Sequence, residues 1–233
     1  MISPYSQQID RMYRHLADSE GCRSVALVAG CGGDGVSTLA LALAQRCLHE
    51  GRRTLLVDMN TVDPCSRTVM ALGSANNKAP VASLIGFEHS DAAITGISTV
   101  ENERARINLR RDGTLRAYIE MWKQQFDVIV FDTNAMEHDE ITDIRAERVA
   151  RACDQTLLVV RANHTSEDQV LAMTRKLDRC GATLSGMVIN DRSMPRLKEE
   201  LKRAVHRIDG FMPWLHDRLI SMIDRSRLLD LEI

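Results

Sequence analysis

The stretch Gly30-Cys-Gly-Gly-Asp-Gly-Val-Ser37 (GCGGDGVS) follows the phosphate-binding pattern G-x-x-x-x-G-K-[ST], but Val36 stands in place of the lysine. In a working loop, backbone N–H groups surround the phosphates, the lysine reaches the β and γ oxygens, and the next hydroxyl binds Mg²⁺. Here the backbone and the hydroxyls are present and the cation is missing. We therefore expect weak or absent binding of ATP or ADP with Mg²⁺, and poor hydrolysis. The candidate nucleotide-binding residues of the loop are Gly30, Cys31, Gly32, Gly33, Asp34, Gly35, Val36, Ser37 and Thr38.

The residues on both sides of the loop have the character that this motif requires. Residues 24–29 form a short apolar run typical of a buried strand, and leucines and alanines at helical spacing follow the loop. Gly51 then ends the predicted helix, and residues 54–58 form a second apolar run that finishes in Asp58. Strand, glycine turn and helix in this order favour a phosphate-binding loop over an ordinary glycine-rich turn.

Strand and helix patterns alternate along most of the remaining chain. Continuous apolar strands separated by helices indicate a parallel sheet that is covered on both faces. We therefore expect an α/β fold with a doubly wound, mostly parallel sheet and additional C-terminal helices, and ligands at the carboxyl ends of the strands. Residues 59–103 show no clear pattern. The further predicted strands are 107–109, 126–132, 155–160 and 184–190, and the further predicted helices are 115–124, 144–152, 167–179 and 197–208.

Composition restricts the classes of function. The chain has 233 residues, 44% of them hydrophobic, and a formal net charge of −2, which gives no electrostatic case for nucleic acid as a partner. No apolar run is long enough to span a bilayer, and the polar start MISPYSQQID does not resemble a signal peptide, so we expect a cytoplasmic protein. The six cysteines show no metal-ligand spacing. Cys31 is either a small loop residue or a thiol whose pKa the nearby helix N-terminus lowers.

Five segments occur in the order and spacing of MinD/ParA-type P-loop ATPases. They are the loop, LLVD before Met59, FDVIVFDT at 126–133, DQTLLVVR at 154–161 and GMVIN at 186–190. Within that group the chain most resembles the cytoplasmic bacterial tyrosine kinases that work with polysaccharide co-polymerases. Its GDGVS is similar to their G-E-G-K-S, and Gln8, Arg11 and Arg14 resemble the E-x-x-R-x-x-R motif with which those kinases form rings.

The resemblance assigns roles to polar residues at the ends of three strands. Asp58 and Asp132 match the acids that organise catalysis and, with Ser37, the Mg²⁺ site of the family. Each could instead be a solvated carboxylate that caps a helix. Asn190 matches a residue that reads the adenine edge, or is a turn former. The second and third motifs are degraded, since Asn60 replaces an acid, Val62 an arginine and Asn134 a proline.

The resemblance also predicts the organisation of the chain. Residues 1–20 would be a helical oligomerisation segment with Gln8, Arg11 and Arg14 on one side, although the same residues suit a solvated helix face. Residues 21–192 would be the P-loop domain, and residues 193–233 a C-terminal helical segment of that domain. Its apolar stripe fits packing on the domain or a partner better than membrane binding, because the chain ends in the acidic sequence LLDLEI.

Taken together, these features predict a homo-oligomeric regulator of exopolysaccharide or capsule synthesis and export. Its catalysis would be impaired, and a membrane-embedded polysaccharide co-polymerase would hold it at the inner membrane. The tyrosine-rich tail of the kinases is absent, since Tyr118 is the last tyrosine. The alternative is a slow MinD/ParA-like ATPase that positions a complex at the membrane, with Arg23, Arg52 or Arg53 in place of the missing lysine.

Overall fold

The computed structural model describes residues 2–62, 69–70, 83–87, 90–98, 107–111, 113–138, 144–191 and 222. The chain divides into two compact units, Met1–Asn190 and Asp191–Ile233. The helices and strands that follow belong to the first unit. In the second unit only Asp191 and Met222 are described, so the predicted helix at 197–208 and the C-terminal apolar stripe lie outside the described residues, apart from helical Met222.

The first unit is built on one eight-stranded sheet. Its strands are β1 (Ser24–Ala29), β2 (Thr54–Asp58), β3 (Val69–Met70), β4 (Ser83–Phe87), β5 (Ser90–Ser98), β6 (Val128–Asp132), β7 (Gln155–Arg161) and β8 (Leu184–Asn190). Their order across the sheet is β3-β4-β5-β2-β6-β1-β7-β8. The six strands β5, β2, β6, β1, β7 and β8, which are neighbours in this order, pair in parallel. At the edge of the sheet, β3 pairs antiparallel with β4, and β4 pairs antiparallel with β5.

Helices cover both faces of this sheet. They are α1 (Gln7–Ala17), α2 (Val36–His49), α3 (Thr114–Trp122), α4 (Ala146–Ala152) and α5 (Glu167–Cys180). One core cluster joins α1 and α2 to the sheet, and the other joins α3, α4 and α5 to it. The mostly parallel sheet and the helices on both of its faces confirm the expected doubly wound α/β fold.

Successive side chains of the central strand β1 face the two helical layers in turn. Val25, Leu27 and Ala29 of β1 belong to the cluster under α1 and α2, whereas Ala26 and Val28 belong to the opposite cluster. Every residue of β1 is buried. Because the pleat sends successive side chains to opposite faces, a strand covered on both sides has to be apolar throughout.

The sequence prediction is wrong in two places. Residues 107–109 form a helical turn, not a strand. Three residues with a polar one in the middle show too little periodicity to distinguish a helix from a strand.

The prediction also missed β3, β4 and β5, which lie in the stretch that showed no pattern. Small and polar residues such as those of SDAAITGIS have low strand propensity, and pairing with β2 and β4 specifies the strand instead. The loop predicted around Pro80 lies outside the described residues.

Asp154 connects three elements at the amino-terminal edge of the sheet. Its Oδ2 accepts the N–H groups of Arg23 and Ser24, each at 2.9 Å, and its Oδ1 accepts from Lys123 Nζ at 2.8 Å. Burial opposes the ionised form of Asp154, but the bonds from Lys123, the Arg23 N–H and Ser24 outweigh it, so its pKa lies below the ordinary aspartate value. This carboxylate therefore holds the start of β1 against the start of β7.

No helix within the described ranges has the length and apolar character needed to cross a bilayer.

Replacing Asp154 by alanine should lower the free energy of unfolding at pH 7 by about 2 kcal/mol, because charge-assisted hydrogen bonds to partly buried donors are lost. The lowered pKa also sets the pH dependence. The stabilisation is complete above the unfolded-chain pKa of about 3.9 and disappears as pH falls through the folded value. Urea unfolding of the wild type and Asp154→Ala at pH 7 and pH 3 should therefore show a difference that shrinks at the lower pH.

Asp178→Ala, at an exposed position on α5, is the matched control and should unfold like the wild type at both pH values. An equal loss for Asp154→Ala at both pH values would contradict an ionic origin of the stabilisation.

Candidate functional site

The loop between β1 and α2 has the backbone of an anion-binding turn. Gly33 and Gly35 have φ of +82° and +98°, in the left-handed region that favours glycine. Gly35 is the N-cap of α2, and no side chain caps the first turn of this helix. The N–H groups of that turn lack helical partners and carry the positive end of the helix dipole. The local chain therefore retains the geometry that receives a phosphate.

Val36 adds no cation to this turn. Its side chain is only 7% exposed and belongs to the apolar cluster beneath α2, together with Leu39 and Leu43. The position that would carry the ammonium group thus contributes to packing. Val36 therefore offers no charge to an anion in the loop.

A carboxylate already lies on the loop. The segment after β6 runs beside the end of β1, because Met136 N donates to Ala29 O at 2.8 Å and Glu137 N donates to Gly30 O at 3.0 Å. This arrangement directs the Glu137 side chain toward the loop, where Oε1 accepts the N–H of Gly32 at 2.8 Å. An acid of the protein therefore takes up one of the backbone donors that a phosphate would use.

Asp34 makes the loop still more negative. Its side chain is 1% exposed, and Oδ2 accepts the N–H of Cys31 at 3.3 Å. Oδ1 is buried without a hydrogen-bond partner in the described part of the chain. Burial raises the pKa of Asp34 above the ordinary value, although the Cys31 N–H and the charges of His164 and Arg161 act in the opposite direction. Two acids and no lysine thus lie at the phosphate end of the site.

The two strand-end acids lie side by side at the carboxyl edge. Asp58 on β2 and Asp132 on β6 are Cα partners in the parallel pairing, so their side chains lie on the same face, the one covered by α2. Both are 0% exposed. The interpretation as solvated carboxylates is therefore wrong. Their inherited roles in catalysis and metal binding remain predictions.

Asn60 links these acids to the loop. Its N–H donates to Asp58 Oδ1 at 3.0 Å, and its Nδ2 donates to Ser37 Oγ at 3.0 Å. Ser37, Asp58 and Asp132 together offer the oxygen ligands that Mg²⁺ prefers. The donor set therefore fits a magnesium ion, which would balance the two buried carboxylates. The Asn60 amide donates to the Ser37 hydroxyl, which is one of the groups that would bind the ion.

Two further polar side chains fix the surrounding loops. Asn134 Oδ1 accepts the N–H of Thr61 at 2.9 Å, which ties the segment after β2 to the segment after β6. Asn190 Nδ2 donates to Asp34 O at 2.8 Å. Asn190 is the last residue of β8 rather than a turn residue, and its amide supports the phosphate loop. Its role toward adenine remains a prediction.

The three arginines considered as substitutes for the lysine are at the wrong end of the sheet. Arg23 precedes β1 and donates to the carbonyls of Lys123 and Phe126. Arg53 precedes β2 and pairs with Asp127 at 2.7 Å, while Arg52 lies over the ring of Tyr13. Because the loop follows the carboxyl end of β1, none of them reaches it. That part of the prediction is wrong.

Cys31 does not have the character of a reactive thiol. Burial, the hydrogen bond with Glu137 and the charges of Glu137 and Asp34 raise its pKa above the ordinary cysteine value. The expectation that the helix N-terminus lowers this pKa is wrong, because burial and then the neighbouring carboxylates raise it. Within the described residues, no group of three or more His, Cys, Asp or Glu could hold a metal ion.

The N-terminal motif lies on the outer side of α1. Ile9, Met12 and Leu16 are buried against α2, whereas Gln8, Arg11 and Arg14 are exposed. Arg14 pairs with Asp10 at 2.7 Å, and Asp10 also pairs with Arg46 of α2 at 2.9 Å. No ion pair involves Arg11 within the described ranges. The helix is thus held by its inner face and presents the motif to solvent.

Glu137 is the site residue that the sequence did not reveal. It lies five positions beyond Asp132 in a stretch without a recognisable motif, and only the pairing of 136–137 with the end of β1 brings it to the loop. The predicted loop, Asp58, Asp132 and Asn190 all meet at the same edge of the sheet. Gln8, Arg11 and Arg14 lie on the outer surface of α1, apart from this cluster.

Comparison with known proteins gives three informative matches. The chain is 21% identical over 190 residues to the tyrosine-protein kinase YwqD of Bacillus subtilis (strain 168), covering 76% of each protein. The BceF tyrosine kinase domain superposes with a TM-score of 0.59 and 23% identity, covering 78% of this chain and 74% of that domain. Cobyrinic acid a,c-diamide synthase from Mycobacterium smegmatis, solved with an ATP analogue and magnesium, gives a TM-score of 0.52 at 17% identity, covering 72% of each chain.

These matches confirm the resemblance to bacterial tyrosine kinases and the P-loop fold. At such low identities the structural likeness establishes the fold alone. No protein-family profile matches the chain.

The geometry of the loop predicts different costs for alanine at two of its glycines. A Cβ on Gly33 meets nothing within 4 Å, whereas one on Gly35 lies 2.4 Å from Asn190 Nδ2. Gly33→Ala should therefore lower the free energy of unfolding by about 1 kcal/mol through its positive φ alone. Gly35→Ala should cost at least about 1 kcal/mol more, because it also displaces the Asn190 bond.

Chemical denaturation of both variants measures the difference, and Gly33→Ala is the matched control for positive φ. Equal losses would show that Asn190 does not support the loop.

Proposed function

We propose that this chain is a catalytically impaired P-loop regulator of exopolysaccharide or capsule biosynthesis and export, which acts as an oligomer with a membrane-embedded polysaccharide co-polymerase. The pathway and the partner come from the resemblance to bacterial tyrosine kinases. The impairment comes from the site itself. The observation that carries it is the combination of buried Val36 at the lysine position with Glu137 on the Gly32 N–H.

The electrostatics of the site support impaired catalysis. Phosphoryl transfer depends on positive groups that stabilise the charge spread over the transferred group. Here Glu137 and Asp34 accept hydrogen bonds from loop N–H groups, and the neutral amide of Asn190 donates to the Asp34 carbonyl. Bound Mg²⁺ would neutralise phosphate charge at Ser37, Asp58 and Asp132. It would leave the negative charge of Glu137 beside the loop.

The tyrosines give no support to autophosphorylation. Tyr13 lies beneath the guanidinium groups of Arg46 and Arg52, and Tyr118 packs against the core beside Trp122. Tyr5 is 69% exposed but lies against His49. Within the 233 residues no tyrosine follows Tyr118.

The alternative function is a slow MinD/ParA-like ATPase that positions a complex at the membrane. The intact backbone of the loop and the oxygen ligands Ser37, Asp58 and Asp132 favour it. It requires a substitute cation, and Arg161 is the arginine whose charge acts on the loop, through Asp34. Loss of measurable turnover in Arg161→Ala would identify this enzyme, whereas background turnover in the wild type excludes it.

Restoring the lysine tests the proposed impairment. Val36→Lys should tighten Mg·ATP binding by roughly tenfold or more, since a charge-assisted hydrogen bond contributes about 1.5–3 kcal/mol. Glu137→Gln should tighten it independently, because the change removes a like charge from the loop, and the double variant should bind most tightly. Isothermal titration calorimetry with Mg·ATP measures all four proteins.

Val36→Met is the matched control, since it lengthens the side chain without adding charge, and melting curves show whether each variant folds. If folded Val36→Lys and Glu137→Gln both bind ATP no better than the wild type, charge is not what limits the site and the proposal is wrong.

A second test addresses assembly through the exposed face of α1. Arg11→Glu should reduce the mass of the homo-oligomer, because it reverses a charge that the motif presents to a neighbouring subunit. The substitution is at an exposed position, so the stability of the fold should change by less than about 0.5 kcal/mol. Light scattering of the wild type and the variant, alone and with the co-polymerase, measures the effect.

Gln7→Glu adds a negative charge to the same helix outside the motif and serves as the control. An unchanged oligomer and unchanged partner binding in Arg11→Glu would remove the functional meaning of the N-terminal resemblance.

A further inference from the structure

A basic groove lies on the face of the sheet opposite α2. It is a cavity of about 790 Å³ between α3, α4 and α5, and none of the phosphate-loop residues lines it. Each of the three elements contributes cations to it. The cations most relevant to binding are Arg111 and Arg116 around the start of α3, Arg151 on α4, and Lys176 and Arg179 on α5.

The described residues that line this groove carry more positive than negative charge. Seven of these twelve residues are arginine or lysine, and one, Glu147, is an acid. Arg145 and Arg148 already have an interaction partner, so the other five cations are the candidates for binding an anion. Glu147 contacts Lys176 only loosely, at 3.7 Å. Within the described ranges no ion pair involves Arg111, Arg116, Arg151 or Arg179. In a chain whose net charge is −2, such a concentration creates a local field that attracts anions.

Part of the lining is apolar. Leu115 is buried in the core, and Ala152 and Cys180, which are half-buried, also line the groove. The volume falls within the range of about 300–1,000 Å³ that small-molecule sites occupy. A concave site of this size with a partly apolar lining and a cationic rim suits a ligand that has a flat organic part and several negative charges.

We propose that this groove binds a small organic di- or triphosphate. Six of the seven cations are arginines, whose planar guanidinium groups bind phosphate oxygens in pairs. The phosphate loop has the opposite character, because Glu137 and Asp34 make it negative. A polyphosphate is therefore attracted to the groove and repelled from the loop. The site is independent of the nucleotide edge of the sheet.

Two probes and one double variant test this site. Uridine 5′-diphosphate supplies a ring and two phosphates, and inorganic tripolyphosphate supplies the charge without the ring. Arg116→Glu/Arg179→Glu reverses charge on two different elements at exposed positions. Arg175→Glu is the matched control, since it makes the same change on α5 at an exposed residue that does not line the groove. Calorimetry at two salt concentrations measures binding, and melting curves verify folding.

The proposal predicts saturable binding of both probes to the wild type and to Arg175→Glu, weakened by salt. Uridine 5′-diphosphate should bind the double variant at least tenfold more weakly, because charge-assisted bonds to the phosphates are lost. Equal affinity of the wild type and the double variant would overturn the proposal. So would binding of phosphatidylserine vesicles that depends on Arg116 and Arg179 without binding of either soluble probe, since the groove would then be part of a membrane-facing surface.

Discussion

The parallel pairing of β1 with β6 on one side and β7 on the other determines what meets at the nucleotide edge. Register with β6 places Asp132 beside Leu27 of β1, and the next strand places Asp58 beside Asp132. Continuation of the β6 backbone past its end allows residues 136–137 to bond to the end of β1 and to the loop. The loop, the two acids and the Glu137 carboxylate are therefore neighbours because of strand pairing, although they are far apart in sequence.

Charge at that edge is the basis of the proposed loss of catalysis. A backbone cradle with a lysine is positive enough to hold a triphosphate and to stabilise the charge that develops during transfer. Here Val36 contributes to the apolar core, while Glu137 takes up one N–H of the cradle and buried Asp34 takes up another. The loop backbone therefore has the shape of a phosphate site, and the side chains of Glu137 and Asp34 add negative charge to it.

The sequence predicted the elements whose residues identify themselves locally. Three features of the site could be recognised from the local sequence. They are the glycines at 33 and 35, the apolar run of β1, and the acids that end β2 and β6. What it could not predict depends on pairing across the sheet. Strands β3 and β4 are short, and small or polar residues fill most positions of β5. Glu137 reaches the loop because two backbone bonds hold residues 136–137 against the end of β1. The positions of Arg23, Arg52 and Arg53 follow from strand direction, because each precedes its strand and therefore lies at the end opposite the loop.

If the proposed impairment is complete, the protein does not turn over ATP. Steady-state phosphate release from Mg·ATP by the wild type tests this, with the proposed co-polymerase partner present so that any activation by it is included. The account predicts a rate indistinguishable from that of the same preparation without the protein. Turnover at roughly 1–100 s⁻¹, the range of ordinary kinases, would contradict it.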